Sequence, residues 1–213
     1  MLKDFRGNLR AAKKGDESAF ACIWREFNPG LVRYLRVKAS SEAEDLAADI
    51  WYRAIRALGS FQGDEDGFRA WLYASARNRA IDWHRGDRRR PQSIDHSMLL
   101  VMPATNNVEA EIEENSSTDA AVGLIAQLPT DQAEAVMLRT VAGLDVSAVA
   151  EIMGRTPGSV RVLCHRGHRR LAGMLSFGDP VPSRDGLELD RLASVVAAPS
   201  IPTGSRLSEV RNG

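Results

Sequence analysis

The stretch LPTDQAEAVMLRTVAGLDVSAVAEIMGRTPGSVRVLCHRGHRRL, residues 128–171, decides the fold class. Pro129-Thr130 opens a helix, DQAEAVMLRTVA, which Gly143 ends; Asp145 then caps a second one, VSAVAEIM. Gly154-Arg155 makes a short turn, and Thr156-Pro157 supplies the N-cap and first-turn pair of a third helix that runs to about Leu171. Within it Val160, Leu163, Cys164, Gly167 and Leu171 fall on one face, while Gly158, Arg161, Val162, His165, Arg166, His168 and Arg169 spread over the rest. Two helices joined by a short glycine turn, the second one basic, form the pattern of a helix-turn-helix. A recognition helix needs this division, because one stripe must lock onto the preceding helix while the other enters a major groove. Arg161 is the expected base reader, since its forked donors can bond two acceptors of guanine at once. Ser159, Arg166 and Arg169 suit phosphates, and His165 with His168 suit a groove-facing pair of polar rings. A solvated basic helix in a small bundle is the alternative.

The rest of the chain reads in the same helical register. Of 213 residues, 44% are apolar, enough for real cores, and the alternation expected of strands is almost absent. The expectation is an all-α protein. Asp16 caps a helix containing Phe20, Ile23, Trp24 and Phe27; Pro29-Gly30 is expected to break it before a second helix, Leu31 to Lys38. Ser41-Glu42-Ala43-Glu44 has the form of a capping box, so the next helix should start near residue 42, bury Leu46, Ala47, Ile50, Trp51, Ala54, Ile55 and Leu58, and stop at Gly59. After a Gly- and Asp-rich loop, residues 60–67, a helix over 68–90 carries Phe68, Trp71, Leu72, Ser75, Ala76 and Ala80 on one stripe. Its other face gathers Arg69, Arg77, Asn78, Arg85 and the run Arg88-Arg89-Arg90. Such a face is either a structural helix with snorkelling arginines or a surface on which unpaired bases stack while arginines neutralise the backbone.

The formal net charge is zero, but it is a cancellation. Residues 1–90 hold 18 Lys/Arg against 13 Asp/Glu; residues 91–122 hold six acids and no base; residues 123–175 hold six bases against four acids. Two basic modules therefore flank an acidic connector, and local charge decides which face can meet phosphates. Domains are expected at 1–92 and 123–176, with a linker at 93–122, able to hold short helical turns, and a tail at 177–213 in which only Leu187 to Val196 could form a further helix. Cys22 and Cys164 stand alone, and His165 and His168 have no third ligand nearby, so neither a disulfide nor a metal site is expected. No cofactor-binding or catalytic motif is present; an exposed Asp64-Glu65-Asp66 loop could bind a divalent cation only weakly. No apolar run of about 18 residues occurs and the amino terminus lacks an apolar signal core, which points to a cytoplasmic protein with no direct membrane insertion.

The ordered segments GDESAF (15–20), EAEDLAADIWYRAI (42–55), FRAWLYASARNRAIDWHR (68–85) and the stretch at 128–171 resemble the extracytoplasmic-function class of the sigma-70 family, over residues 15–90 and 124–172. The resemblance implies a transcription initiation factor, not an enzyme. Its partners would be the largest and second-largest subunits of core RNA polymerase, promoter DNA and an anti-sigma factor. It implies that Asp45, Asp49, Arg53 and Arg56 lie at the polymerase contact, with Ala48-Asp49 where the family usually has Gln-Glu. It assigns Phe61, Arg77, Asn78, Asp82, Trp83 and Arg85 to melting and reading the minus-ten element, Phe61 as a wall for a flipped base. Ser159, Arg161, His165, Arg166 and Arg169 would read the minus-thirty-five element. Ser75, Arg79 and Leu163 depart from the usual pattern. The connector would thread through the polymerase or act as a simple tether. A one-component regulator with a ligand pocket in residues 1–90 is the rival, and the Arg/Trp helix argues against such a pocket.

Overall fold

The computed structural model describes residues 4–86 and 118–176, and within them every regular element is helical. Most of the linker expected at 93–122, the run Arg88-Arg89-Arg90 and the tail 177–213 lie outside the described residues. Four helices, α1 (Phe5–Ala12), α2 (Glu17–Ala39), α3 (Ala43–Leu58) and α4 (Glu65–His84), make a first unit. A second contains α5 (118–126), α6 (Thr130–Val136) continued by a π turn (Met137–Val141), α7 (Val146–Met153) and α8 (Pro157–Ser176). Helix α5 already occupies the last residues expected to be linker.

Short polar side chains start the helices, as their chemistry demands. Asp4 accepts from Gly7 N, Asp16 from Ser18 N and Ala19 N, Asp64 from Gly67 N and Asp145 from Ala148 N, each satisfying amides that have no intrahelical acceptor. Asp64 moves the start of α4 to Glu65, so the acidic loop Asp64-Glu65-Asp66 is a cap and a first turn. Glu65 is buried there and pairs with Arg69 at 2.7 Å. The capping box at Ser41–Glu44 is not formed: the start of α3 has no side-chain cap, and Glu44 bonds Arg36 at 3.0 Å instead.

Pro29 lies inside α2, which runs unbroken past it. The chain was expected to break here; proline removes one backbone bond, but Phe27, Leu31, Tyr34 and Leu35, on both sides of it, are all buried in the core. Asn28 also accepts a 2.9 Å bond from the Trp51 indole, tying this turn to α3. The core of the first unit centres on Phe68, fully buried, with Phe5, Phe27, Phe61 and Trp71 rings 5.3–5.6 Å from it. These tilted and edge-on pairs add to simple area burial. Helix α1, which the sequence reading passed over, supplies Phe5 and Leu9 to this cluster.

In the second unit α8 packs on α6 through the stripe read from the sequence: Val160, Gly167 and Leu171 are buried, Leu163 and Cys164 half-buried. Gly154 takes the left-handed conformation (φ +63) that ends α7, and Thr156 Oγ1 accepts from Ser159 N at 3.2 Å. Gly167 is required by contact: a Cβ there would lie 2.7 Å from Val136 Cγ2, which is buried. Gly167→Ala is expected to destabilise the protein by about 1–2 kcal/mol despite alanine's better helix propensity. Gly173→Ala, on the same helix with open space around it, should stabilise by up to ~1 kcal/mol. Thermal melts of the two variants check the contrast.

Candidate nucleic-acid interface

Helix α8 presents its basic face to solvent. Arg161, His165, Arg166 and Arg169 are exposed, Ser159 is half-buried near the N-terminus, and Val162 stands out with 47% of its surface accessible. This face holds donors and one apolar contact on a helix whose back is fixed by α6 and α7, the arrangement a major groove can accept. His168 is half-buried instead of groove-facing; burial, then His165 and Arg139, push its pKa below the usual histidine value. Among the described residues no cluster of His, Cys, Asp or Glu could hold a metal ion.

Helix α3 forms a second surface. Asp45, Arg53 and Arg56 are exposed, and so are Tyr52 and Ile55, each 41% accessible, with the Arg56 guanidinium 5.8 Å from the Tyr52 ring centroid. Ile55 was expected in the core; Ala54 and Leu58 fill that side, leaving Ile55 one step round the helix. Neither Tyr52 nor Ile55 was read from sequence as a surface contact, although two large apolar residues between arginines suit a protein contact. Asp49 is more enclosed than its neighbours: its Oδ2 receives Arg53 Nε at 3.2 Å and Arg79 Nε at 2.5 Å. Arg79, an unusual residue for the family pattern, is thus a clamp between α4 and α3.

The residues assigned to promoter opening are divided by the structure. Asn78, Asp82 and Arg85 are exposed along the outer side and end of α4, and Trp83 is half-buried with its ring 4.7 Å from that of His84. Phe61 is half-buried and packs on Phe68 and Trp71, while the loop folds over its ring so closely that a Cβ at Gly63 would sit 2.7 Å from it. Ser75 donates to its own helix at Trp71 O. Tyr73, not read as core, is buried beside Tyr34.

Arg77 faces the other unit. Its Nε donates to Glu134 Oε1 on α6 at 2.8 Å; Tyr34 Oη donates to the same oxygen at 3.1 Å, and Lys38 Nζ meets Oε2 at 3.1 Å. The Glu134 side chain is only 3% exposed, and burial together with this carboxylate holds the Tyr34 phenol well above its ordinary pKa. Around this point Arg69 donates to Ala142 O at 3.3 Å, Gly30 lies under Tyr73 and Val141, and Arg36 pairs with Asp119 at 3.2 Å.

Comparisons with known proteins agree with this layout. The chain matches Sigma-70 region 2 over residues 23–90 and Sigma-70, region 4 over residues 119–171. It is 31% identical to the ECF RNA polymerase sigma factor BldN of Streptomyces coelicolor across 78% of this chain, which spans 64% of BldN's length. Against the ECF sigma factor ShbA of Streptomyces griseus the identity is 30%, covering 78% of this chain and 92% of ShbA. The solved structure of CnrH in complex with the cytosolic domain of CnrY shares the fold, with a TM-score of 0.53 at 20% identity over 83% of this chain and all of that one.

Two outcomes follow from the site's electrostatics. Asp49→Ala leaves Arg79 and Arg53 without their shared anion and should cost about 1–3 kcal/mol, more than Asp45→Ala on the same exposed face; chemical denaturation distinguishes the two. Because the folded state resists protonating His168, the unfolded chain takes up more protons below pH about 6.5, so stability falls as pH drops through that region. His168→Gln should flatten the corresponding part of a Tm-against-pH curve.

Proposed function

Given that the chain belongs to the extracytoplasmic-function class of the sigma-70 family, we propose how its surfaces divide the work of promoter-specific initiation with core RNA polymerase. The exposed face of α3, carrying Asp45, Tyr52, Arg53, Ile55 and Arg56, docks on the polymerase, with the two apolar side chains supplying desolvated contact and the charges fixing orientation. Asp49 acts here mainly by holding Arg53 and Arg79 in place.

Helix α8 enters the major groove of the minus-thirty-five element. The observation that carries this reading is the division of that helix, an apolar stripe locked on α6 against an outer face of Arg161, His165, Arg166 and Arg169. Arg161 lies near the N-terminal end, where side chains reach base edges, and the arginines farther along suit the backbone. Asn78, Asp82, Trp83 and Arg85 line the side of α4 that meets the minus-ten element, with Arg77 joining them when the two units separate. Phe61 contributes there by shaping the loop before α4. In this reading the protein acts in the cytoplasm and by binding. Among the described residues no helix is long and apolar enough to cross a membrane. A sequestering anti-sigma partner belongs to the same reading.

Run-off transcription with purified core polymerase and promoter DNA tests the assignment. Core-dependent, sequence-specific transcripts are expected, whereas sequence-specific DNA binding without core-dependent initiation would support a one-component regulator. Arg161→Ala should weaken binding to the specific upstream element by about 1–3 kcal/mol and leave random DNA little affected. An equal loss on both would reduce Arg161 to a phosphate contact.

A further inference from the structure

We infer that Glu134 is an internal latch that closes the free protein by taking, with its own carboxylate, the cation that the promoter would otherwise claim. The inference rests on the promoter-reading role of α4 proposed above. Glu134 comes from α6 of the DNA-reading unit, and among the described residues the partners of its carboxylate come from the other unit: Arg77 on α4, Tyr34 and Lys38 on α2. The carboxylate has 3% of its surface exposed, Lys38 9% and Arg77 24%, so these bonds act with little competition from water.

A carboxylate and a DNA phosphate offer the same thing to a guanidinium, an anionic oxygen acceptor. Arg77 cannot give its Nε to Glu134 and lay the same side chain along melted DNA. The closure also covers the ground around it, since α4 runs against α7, Arg69 binds Ala142 O, and the π turn sets Val141 over Gly30. Asp119, an acid counted with the connector, reaches back to Arg36 on the same side. Closed and promoter-engaged arrangements are therefore mutually exclusive, and DNA affinity is reduced by the fraction of molecules that are open. The α3 face that docks on polymerase is exposed in the closed form as well, so docking there alone shifts nothing, and opening requires polymerase contacts made only with the separated units.

The test uses the full chain without polymerase. Glu134→Gln keeps the shape but removes the charge that holds both cations; Lys38→Met removes one cation at a residue with no assigned DNA contact. Radius of gyration by small-angle scattering and affinity for a fluorescent promoter bearing a pre-melted minus-ten region are measured for both variants and the wild type, with folding checked by circular dichroism. An expanded Glu134→Gln chain that binds about tenfold more tightly is expected, as for release of a state that is roughly nine-tenths closed, with a smaller change of the same sign for Lys38→Met. Unchanged size and affinity in both variants overturns the latch, and so does expansion without any gain in affinity. Core-dependent run-off by the wild type is scored separately, so loss of the initiation reading is distinguishable from loss of the latch.

Discussion

A buried carboxylate whose partners among the described residues all lie in the other unit constrains how the two units meet. Glu134 projects from α6 into a place where water does not reach it, and an ionised carboxylate is stable there only if positive or hydrogen-bonding groups come to it. Its own helix offers none; Tyr34, Lys38 and Arg77 do. Tyr34 and Lys38 are one turn apart on α2, and its continuation through Pro29 ties that turn to the core-packed half of the helix around Phe27. Arg77 arrives from α4, whose start at Glu65 is set by the Asp64 cap. Capping, helix continuity and core packing thus converge on one ionic contact between the two units.

The same reasoning explains what was legible in the sequence. The second unit read well because its signals are local: Asp145, Gly154 and Thr156-Pro157 sit at the chain reversals, and the stripe Val160, Gly167, Leu171 follows from helical period alone. The first unit read less well where distant residues overrule local preference. Pro29 is carried through by the burial of its neighbours, and Glu44 leaves its expected capping role for Arg36. Ile55, read as core, is exposed, and Tyr73, left off the apolar stripe of α4, is buried, since position on a helix face fixes angle but not what lies opposite. The Glu134 contacts join residues 57, 96 and 100 positions apart, and neither motif nor period marks such a pair.

For the interface, residue type was more legible than residue use. Arg161, His165, Arg166 and Arg169, read from the sequence as the outer face of α8, are exposed; His168 and Ser159 are half-buried, and exposed Arg170 was not singled out. On α4 the arginine-rich face was recognised, yet its members act differently: Arg77 binds Glu134, Arg79 binds Asp49, Arg69 binds Glu65 and Ala142, and Arg85 is exposed. The neutral total charge has its physical meaning here. Acids of the second unit and of the connector's end satisfy bases of the first, so part of the first unit's basic surface is already paired within the chain.

The measurement that bears most directly on this account is the distance between the two units in solution, by double electron–electron resonance. Spin labels at Arg10 and Glu151, exposed positions in opposite units, would be read with Cys22 and Cys164 replaced. The account predicts one narrow, short distance for the free protein and a longer one when core polymerase is added. A broad distribution in the free protein, unchanged by polymerase, would contradict it.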